Sequence, residues 1–288
     1  MQNIDLTKFN NKDLGELIKY GDQLFNSNLE NKIHAHKVYL TVLNQLPKLY
    51  KLPFSKLRGV LRQKIWNCEK FFHWNEQFYS QSGQDKIIKE FFFRDFDQTI
   101  SSGYFVEIGA YDGLTGSNCY HFEKFCNWDG VAIEPSFLQF QKLAKNRSCK
   151  VINKAIDKYE RDIEFIEVLE GYTQMSYIKH NNYNNSEKFL KKDHRTKRKN
   201  EKIKTALFNN IIEIKEINYL SIDTEGNELD ILQSIDFKKF NIKVISVENN
   251  NPEDFRINKF LTKKNFNYFD NVGVDEIYYN KKHFISKL

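Results

Sequence analysis

Apolar residues recur at helical spacing near the start of the chain, at Leu14, Leu17, Ile18, Leu24 and Phe25, and again at Ile33, Val38, Val42 and Leu46. That spacing predicts two amphipathic helices. Pro53 and Ser55 mark the start of a third, running towards Trp66. Beyond residue 100 the pattern changes to short apolar runs that stop at glycine or at an acid. Tyr104–Ile108, Val131–Ile133 and Lys150–Asn153 read as three buried strands, and the alternating start of DIEFIEVLE at Asp162 as another. Tyr219–Asp223 and Val244–Asn249 add two more, with a helix carrying Leu229, Ile231 and Leu232 between them. Pro252 is placed to open a further helix at its first position. FNYFD and DEIYYN, joined through Gly273, read as a terminal hairpin.

Strands alternating with helices predict an α/β chain. The expected architecture is a Rossmann-like, seven-stranded sheet with helices on both faces, preceded by an N-terminal helical segment. The boundary is expected at residues 1–75 for the helices and 76–288 for the sheet domain. The helices would cap the domain, shape its mouth or support a homo-oligomer. Ligands of such sheets sit at the C-terminal ends of the strands.

The turn VEIGAYDG, Val106 to Gly113, joins the first strand to a helical segment. A dinucleotide site needs Gly-x-Gly-x-x-Gly to admit a pyrophosphate against the backbone. Here the spacing is Glu107-x-Gly109-x-x-x-Gly113, with bulky Tyr111 at the place of the second glycine. A carboxylate at the strand end repels phosphate and attracts an ammonium or a hydroxyl donor. S-adenosylmethionine, with an amino-acid end, a sulfonium and a ribose but no phosphate, suits that chemistry. Glu134, ending the second strand, stands where a ribose diol is gripped. Asp157, after the third, is either the receiver of the adenine amino group or an ordinary turn carboxylate.

Net charge is +6, of which the run Lys191–Lys202 contributes +5, leaving a balance too even for a general nucleic-acid surface. The run reads as a mobile loop or an exposed helix face. There is no apolar stretch of about 18 residues and no leader-like start, so a cytoplasmic protein without a membrane span is expected. Cys68, Cys119, Cys126 and Cys149 form no Cys-x-x-Cys pair, which suggests neither zinc nor a disulfide framework.

SQSGQD (Ser80–Asp85), YFVEIGAYDGLTGSN (Tyr104–Asn118), WDGVAIEP (Trp128–Pro135), LSIDTEGNELDIL (Leu220–Leu232) and VEN (Val247–Asn249) together resemble the FkbM-type methyltransferases. The likeness covers roughly residues 76–288, with IDTEG its most specific piece. It implies a class I methyltransferase fold and S-adenosylmethionine-dependent methylation of hydroxyls, often on sugars of surface glycans or of secondary metabolites. Carried onto this chain, it assigns Glu107, Gly109, Tyr111, Asp112, Gly113, Ser117 and Asn118 to the methionine and ribose, Glu134 to the ribose, and Gln81 to a segment folding over the cofactor. Cys119 departs from the family, where threonine is common.

A sugar hydroxyl must lose a proton as it is methylated, to a general base or with the help of a divalent metal. Asp223, Glu225 and His180 are the candidate bases or acceptor-binding groups. Asp223, Glu248 and Asn249, at two strand ends, form a candidate oxygen set for Mg²⁺. That arrangement is similar to the catechol-type enzymes, except that Gly226 stands where their lysine is expected. Two other readings stay open. One is an RNA ribose 2′-O-methyltransferase using Lys191–Lys202 as a contact. The other is a non-catalytic cofactor-binding scaffold. Amino-group methylation of nucleic acid is disfavoured, because none of Pro47, Pro53, Pro135 and Pro252 forms the motif it requires.

Overall fold

The computed structural model describes residues 14–93, 103–179, 187, 190–251, 253 and 255–284. Three helices come first: α1 (Leu14–Phe25), α2 (Leu29–Gln45) and α3 (Phe54–Phe71). Their apolar faces meet in one cluster that includes Leu17, Val38, Val42, Leu61 and Ile65. Asn28 starts α2 by accepting a hydrogen bond from the Asn31 amide, as an N-cap residue does. Helix α4 (Gln84–Phe92) follows.

The main sheet contains β1 (Tyr104–Ile108), β2 (Asp129–Ile133), β3 (Lys150–Ile152), β8 (Glu216–Ile222), β9 (Asn241–Glu248), β10 (Phe266–Val272) and β11 (Asp275–Asn280). Their order is β10-β11-β9-β8-β1-β2-β3, parallel except for β11, which runs against β9 and β10. This is the expected seven-stranded sheet closed by a hairpin. Side-chain alternation splits β1 between two cores. Val106 and Ile108 face a cluster with Ile231, Leu232 and Leu261. Phe105 faces one with Phe122, Trp128 and Ile88. Helices α5 (Tyr120–Cys126) and α4 therefore cover one face, and the helices Glu228–Ser234 and Arg256–Lys263 the other. Pro252 lies outside the described residues, and the helix after it begins at Arg256.

One expectation is overturned. The basic run is neither loop nor helix over its second half, because Lys197–Ala206 forms strand β7, while residues 191–196 form a turn. It pairs with β5 (Asp162–Glu170) in a smaller sheet that also holds β4 (Ala155–Ile156) and β6 (Tyr177–Ile178), in the order β4-β7-β5-β6. The register sets Glu164 opposite Lys202, Glu167 opposite Lys199 and Glu170 opposite Lys197. Opposite charges across an antiparallel pair stabilise it, so cross-strand charge replaces the apolar alternation that ordinarily marks a strand.

The helical layer is fastened to the hairpin by a buried ion pair. Arg58 is 2% exposed and grips both carboxylate oxygens of Asp270 at 2.5 and 2.7 Å. It also donates to the Leu43 and Leu46 carbonyls that end α2. Arg62 shares the same carboxylate, and together the two arginines hold the Asp270 carboxyl below its usual range. Gly59 lies against the hairpin turn, where a Cβ would come within 2.2 Å of the Gly273 carbonyl oxygen. Replacing Arg58 by methionine leaves Asp270 half-answered in a dry site and is expected to lower unfolding free energy by about 3 kcal/mol. Urea denaturation checks this; a loss below about 1 kcal/mol would mean that Arg62 alone suffices.

Candidate active site

The chain leaves β1 outward to β2 and β3, then returns to β8 on the opposite side of β1, and a ligand crevice is expected where the order reverses. An open cavity of about 1120 Å³, counting the space at its mouth, lies at that point. At its floor the β1 turn presses on the end of β8. Gly109 has φ +86°, and a Cβ there would stand 1.7 Å from the Asp223 carbonyl oxygen. Glycine is required by that contact as well as by its dihedral.

Glu107 is on the wall and buried, but its carboxylate is already engaged. Ser117 Oγ donates at 2.8 Å, the Asn118 amide at 2.8 Å and Arg147 Nη1 at 2.8 Å. The expectation that Glu107 presents free charge to a ligand is therefore corrected. Its charge is neutralised by Arg147 and it shapes the turn. Arg147 gave no signal in the sequence; it follows α6 (Phe137–Asn146) and also binds Glu123 and the Gly113 carbonyl.

Glu134 lies across the cavity and keeps acceptor capacity. Its carboxylate takes one hydrogen bond from the Tyr111 amide at 2.9 Å and one from the Ser136 amide at 2.8 Å. Burial pushes its carboxyl up to about 7, against the pull of those two amides. Tyr111, at φ +48°, lines the wall, and its hydroxyl meets Thr173 Oγ1 at 2.6 Å. The smaller sheet supplies the far wall through Phe165, Ile178 and the Thr173–Gln174 turn. Gln81 reaches the mouth from the Ser80 bridge to Gly116.

Two buried acceptors on this wall, Asn118 Oδ1 and Asn227 Oδ1, have no hydrogen-bond partner among the described residues. Asn227, unremarked in the sequence, donates its amide to the Ile156 carbonyl, which places it beside β4. Buried polar atoms are rarely left unpaired, and both atoms suit a polar ligand.

The IDTEG turn brings Asp223, Thr224 and Glu225 to the wall. Glu228 hooks this turn back by accepting from the Thr224 and Gly226 amides. Glu225 adopts φ +60°, a strained conformation of the sort that collects at functional sites. Asp223 touches the Glu248 carboxyl, and burial together with Asp275, Glu225 and Glu228 holds the Asp223 carboxyl well above its usual range.

Four expectations are not met as stated. Asp112 is off the wall and caps its own turn at the Leu114 and Thr115 amides. Gly113 is off it too, packed on Leu143 and Arg147. Asp157 faces away, its carboxylate held by Arg161 Nε at 2.8 Å, so it is not placed to receive a ligand amine. Asn249 does not join Asp223 and Glu248. Its amide donates to Glu276 and its oxygen accepts from Asn251, which follows from its place in the turn against the hairpin. Among the described residues no three His, Cys, Asp or Glu side chains are grouped to hold a metal ion. His180 lies outside the described residues.

The profile of the methyltransferase FkbM domain matches residues 107–268, more than half of the chain. Among solved structures, the chain is similar to methyltransferase FkbM from Methylobacillus flagellatus KT, at 11% identity and a TM-score of 0.41 over 90% of this chain. It spans 60% of the length of that protein. It is also similar to the N-terminal domain of human METTL16, at 13% identity and a TM-score of 0.34 over 96% of each chain. The same human domain in complex with SAH gives 12% and 0.33, again over 96% of each chain. No curated protein matches the sequence.

Gly109→Ala meets both a positive φ and a backbone oxygen, and a loss of at least about 3 kcal/mol is expected. Thermal denaturation reads it out; a melting temperature equal to wild type would show that β1 and β8 can separate without cost.

Proposed function

Because the chain belongs to the methyltransferase FkbM domain family, we propose that it is an S-adenosylmethionine-dependent O-methyltransferase acting on a sugar hydroxyl of a glycan, surface polysaccharide or nucleotide-sugar. The observation that carries this reading is the charge of the cavity wall. Among the described residues, Glu134, Asp223 and Glu225 line it against a single cation, Lys154, the charge of Glu107 being already answered by Arg147. A wall of that sign suits a cationic, phosphate-free cofactor and a neutral polyol, and disfavours a dinucleotide.

The residues fit the cofactor. Glu134 would accept the ribose hydroxyls, and Asn118 and Ser117 would meet the amino-acid end. Asn227 Oδ1, beside β4, would receive the adenine amino group in the place first expected of Asp157. Bound there, S-adenosylmethionine supplies an electrophilic methyl group on a sulfonium. The chain's own task is to hold the acceptor oxygen in line with that methyl and to take its proton. Asp223, raised in basicity by burial and by its acidic neighbours, is the proposed proton acceptor. Glu225 would orient a neighbouring hydroxyl, and the Tyr111 and Phe165 rings on the wall offer apolar faces to a sugar. Against an RNA acceptor, the lysines of β7 are answered across the strand pair by Glu164, Glu167 and Glu170.

Asp223→Asn is expected to slow turnover at least about 100-fold while calorimetric S-adenosylmethionine affinity is kept. Unchanged turnover on a sugar acceptor would remove the proton-accepting role.

Glu134→Gln is expected to weaken cofactor binding about tenfold or more, as loss of a charge-assisted hydrogen bond does. The pH dependence has a definite sign. Only the carboxylate accepts two hydroxyls, and in the free protein that form is lost as pH falls through about 7. Affinity is therefore expected to rise from about pH 6 to about pH 8 in wild type, across that value, and to stay level in Glu134→Gln. Parallel pH profiles for the two proteins would take Glu134 out of the ribose site.

A further inference from the structure

A second cavity, of about 1020 Å³ counting its mouth, opens between α2, α3 and α4. It lies in the helical layer, outside the residues matched by the family profile. Leu40, Leu43, Leu46, Ile65 and Ile87 give it an apolar interior. Its charged groups are four cations against two acids, Glu69 and Glu90. Lys48, Arg58, Arg62 and Lys86 all stand on the wall. Lys86 is answered by Glu69 and Glu90. The two arginines, however, have the one carboxylate of Asp270 between them. Lys48 rests over the rings of Phe91 and Phe269 and has no carboxylate bonded to it among the described residues.

Trp66 is on the same wall and 2% exposed, and its indole N–H is buried with no acceptor among the described residues. An anionic head would answer the surplus cationic charge, and an apolar body would fill the space between the leucines.

The floor of this cavity is Ser82 and Gly83, while Gln81, the residue before them, lines the first cavity. The two cavities thus draw on one short segment, residues 81–83. Gln63 holds that segment by donating to the Gln81 carbonyl.

We propose that the cavity between α2, α3 and α4 is a second ligand site, for a small organic anion with an apolar body, recognised by Lys48 and Arg62. This assignment does not rest on the methyltransferase reading.

The test uses the full chain with two probes, 8-anilinonaphthalene-1-sulfonate followed by its fluorescence and octanoate as its competitor. One saturable site displaced by octanoate is expected. Lys48 is exposed at the mouth, so Lys48→Gln should fold as wild type does, and is expected to weaken both probes about tenfold. Leu40→Trp, which fills the interior, is expected to abolish binding. S-adenosylmethionine affinity, measured alongside, is expected to be retained by Lys48→Gln, which separates this site from the first cavity. Absence of saturable binding to wild type, or equal binding to wild type and Lys48→Gln, would overturn the proposal. Should Leu40→Trp fail to fold, the Lys48→Gln comparison decides alone.

Discussion

The buried contact between Glu107 and Arg147 is the constraint on which the rest of the site depends. A carboxylate and a guanidinium taken out of water are stable only when their remaining hydrogen-bonding capacity is met as well. The fold meets most of it from several elements at once, and leaves only Arg147 Nη2 without a partner among the described residues. The Ser117 hydroxyl and the Asn118 amide come from the approach to α5, the Gly113 carbonyl from the turn, and Glu123 from α5 itself. The guanidinium also lies over the rings of Phe105 and Tyr120. Satisfying one ion pair therefore fixes the end of β1, the course of the turn and the end of α6 relative to each other. Tyr111 and Gly109 are held where Glu134 and Asp223 can be reached from one cavity.

The main sheet was legible because its central strands are buried on both faces and read as short apolar runs that end at glycine or an acid. The site was legible where the backbone itself is constrained, as at Gly109, or where a carboxylate ends a central strand, as at Glu134 and Asp223. It was illegible where a side chain had two possible directions. Asp157 and Glu134 look alike in the sequence, since each follows a short apolar run. The available clue was Arg161, four residues after Asp157 and able to neutralise it. Arg147 was missed because a single arginine after an amphipathic helix ordinarily points to water. Strand β7 was missed because its periodicity is one of charge, visible only with the acids of β5 set beside it. Asn227 stands inside the Leu220–Leu232 segment, yet nothing in its residue type singled it out there.

The two acidic ends of the cavity differ in how they are supported. Glu134 is held by two backbone amides and keeps capacity for a ligand. Asp223 sits among other acids, Glu248 touching it, and owes its character first to burial and then to that crowding rather than to donors. One fold thus carries two carboxyls with different surroundings on one wall, which is how acid and acceptor duties are separated elsewhere in protein chemistry. The smaller sheet completes that wall without belonging to the main one, so its loops can vary in acceptor shape while the floor stays fixed.

The grip of Arg58 on Asp270 spans 212 residues of sequence. During synthesis at about 5–20 residues per second, α3 waits roughly 10 to 40 s for the hairpin it will hold. Throughout that interval the first three helices exist without their partner, with the arginine side of α3 facing solvent. The hairpin strands, once made, close the layer that α1, α2 and α3 began. Maturation of this protein is consequently tied to completion of the β10–β11 hairpin, and a ribosome that stalls before Asp270 releases a chain in which Arg58 and Arg62 lack their carboxylate.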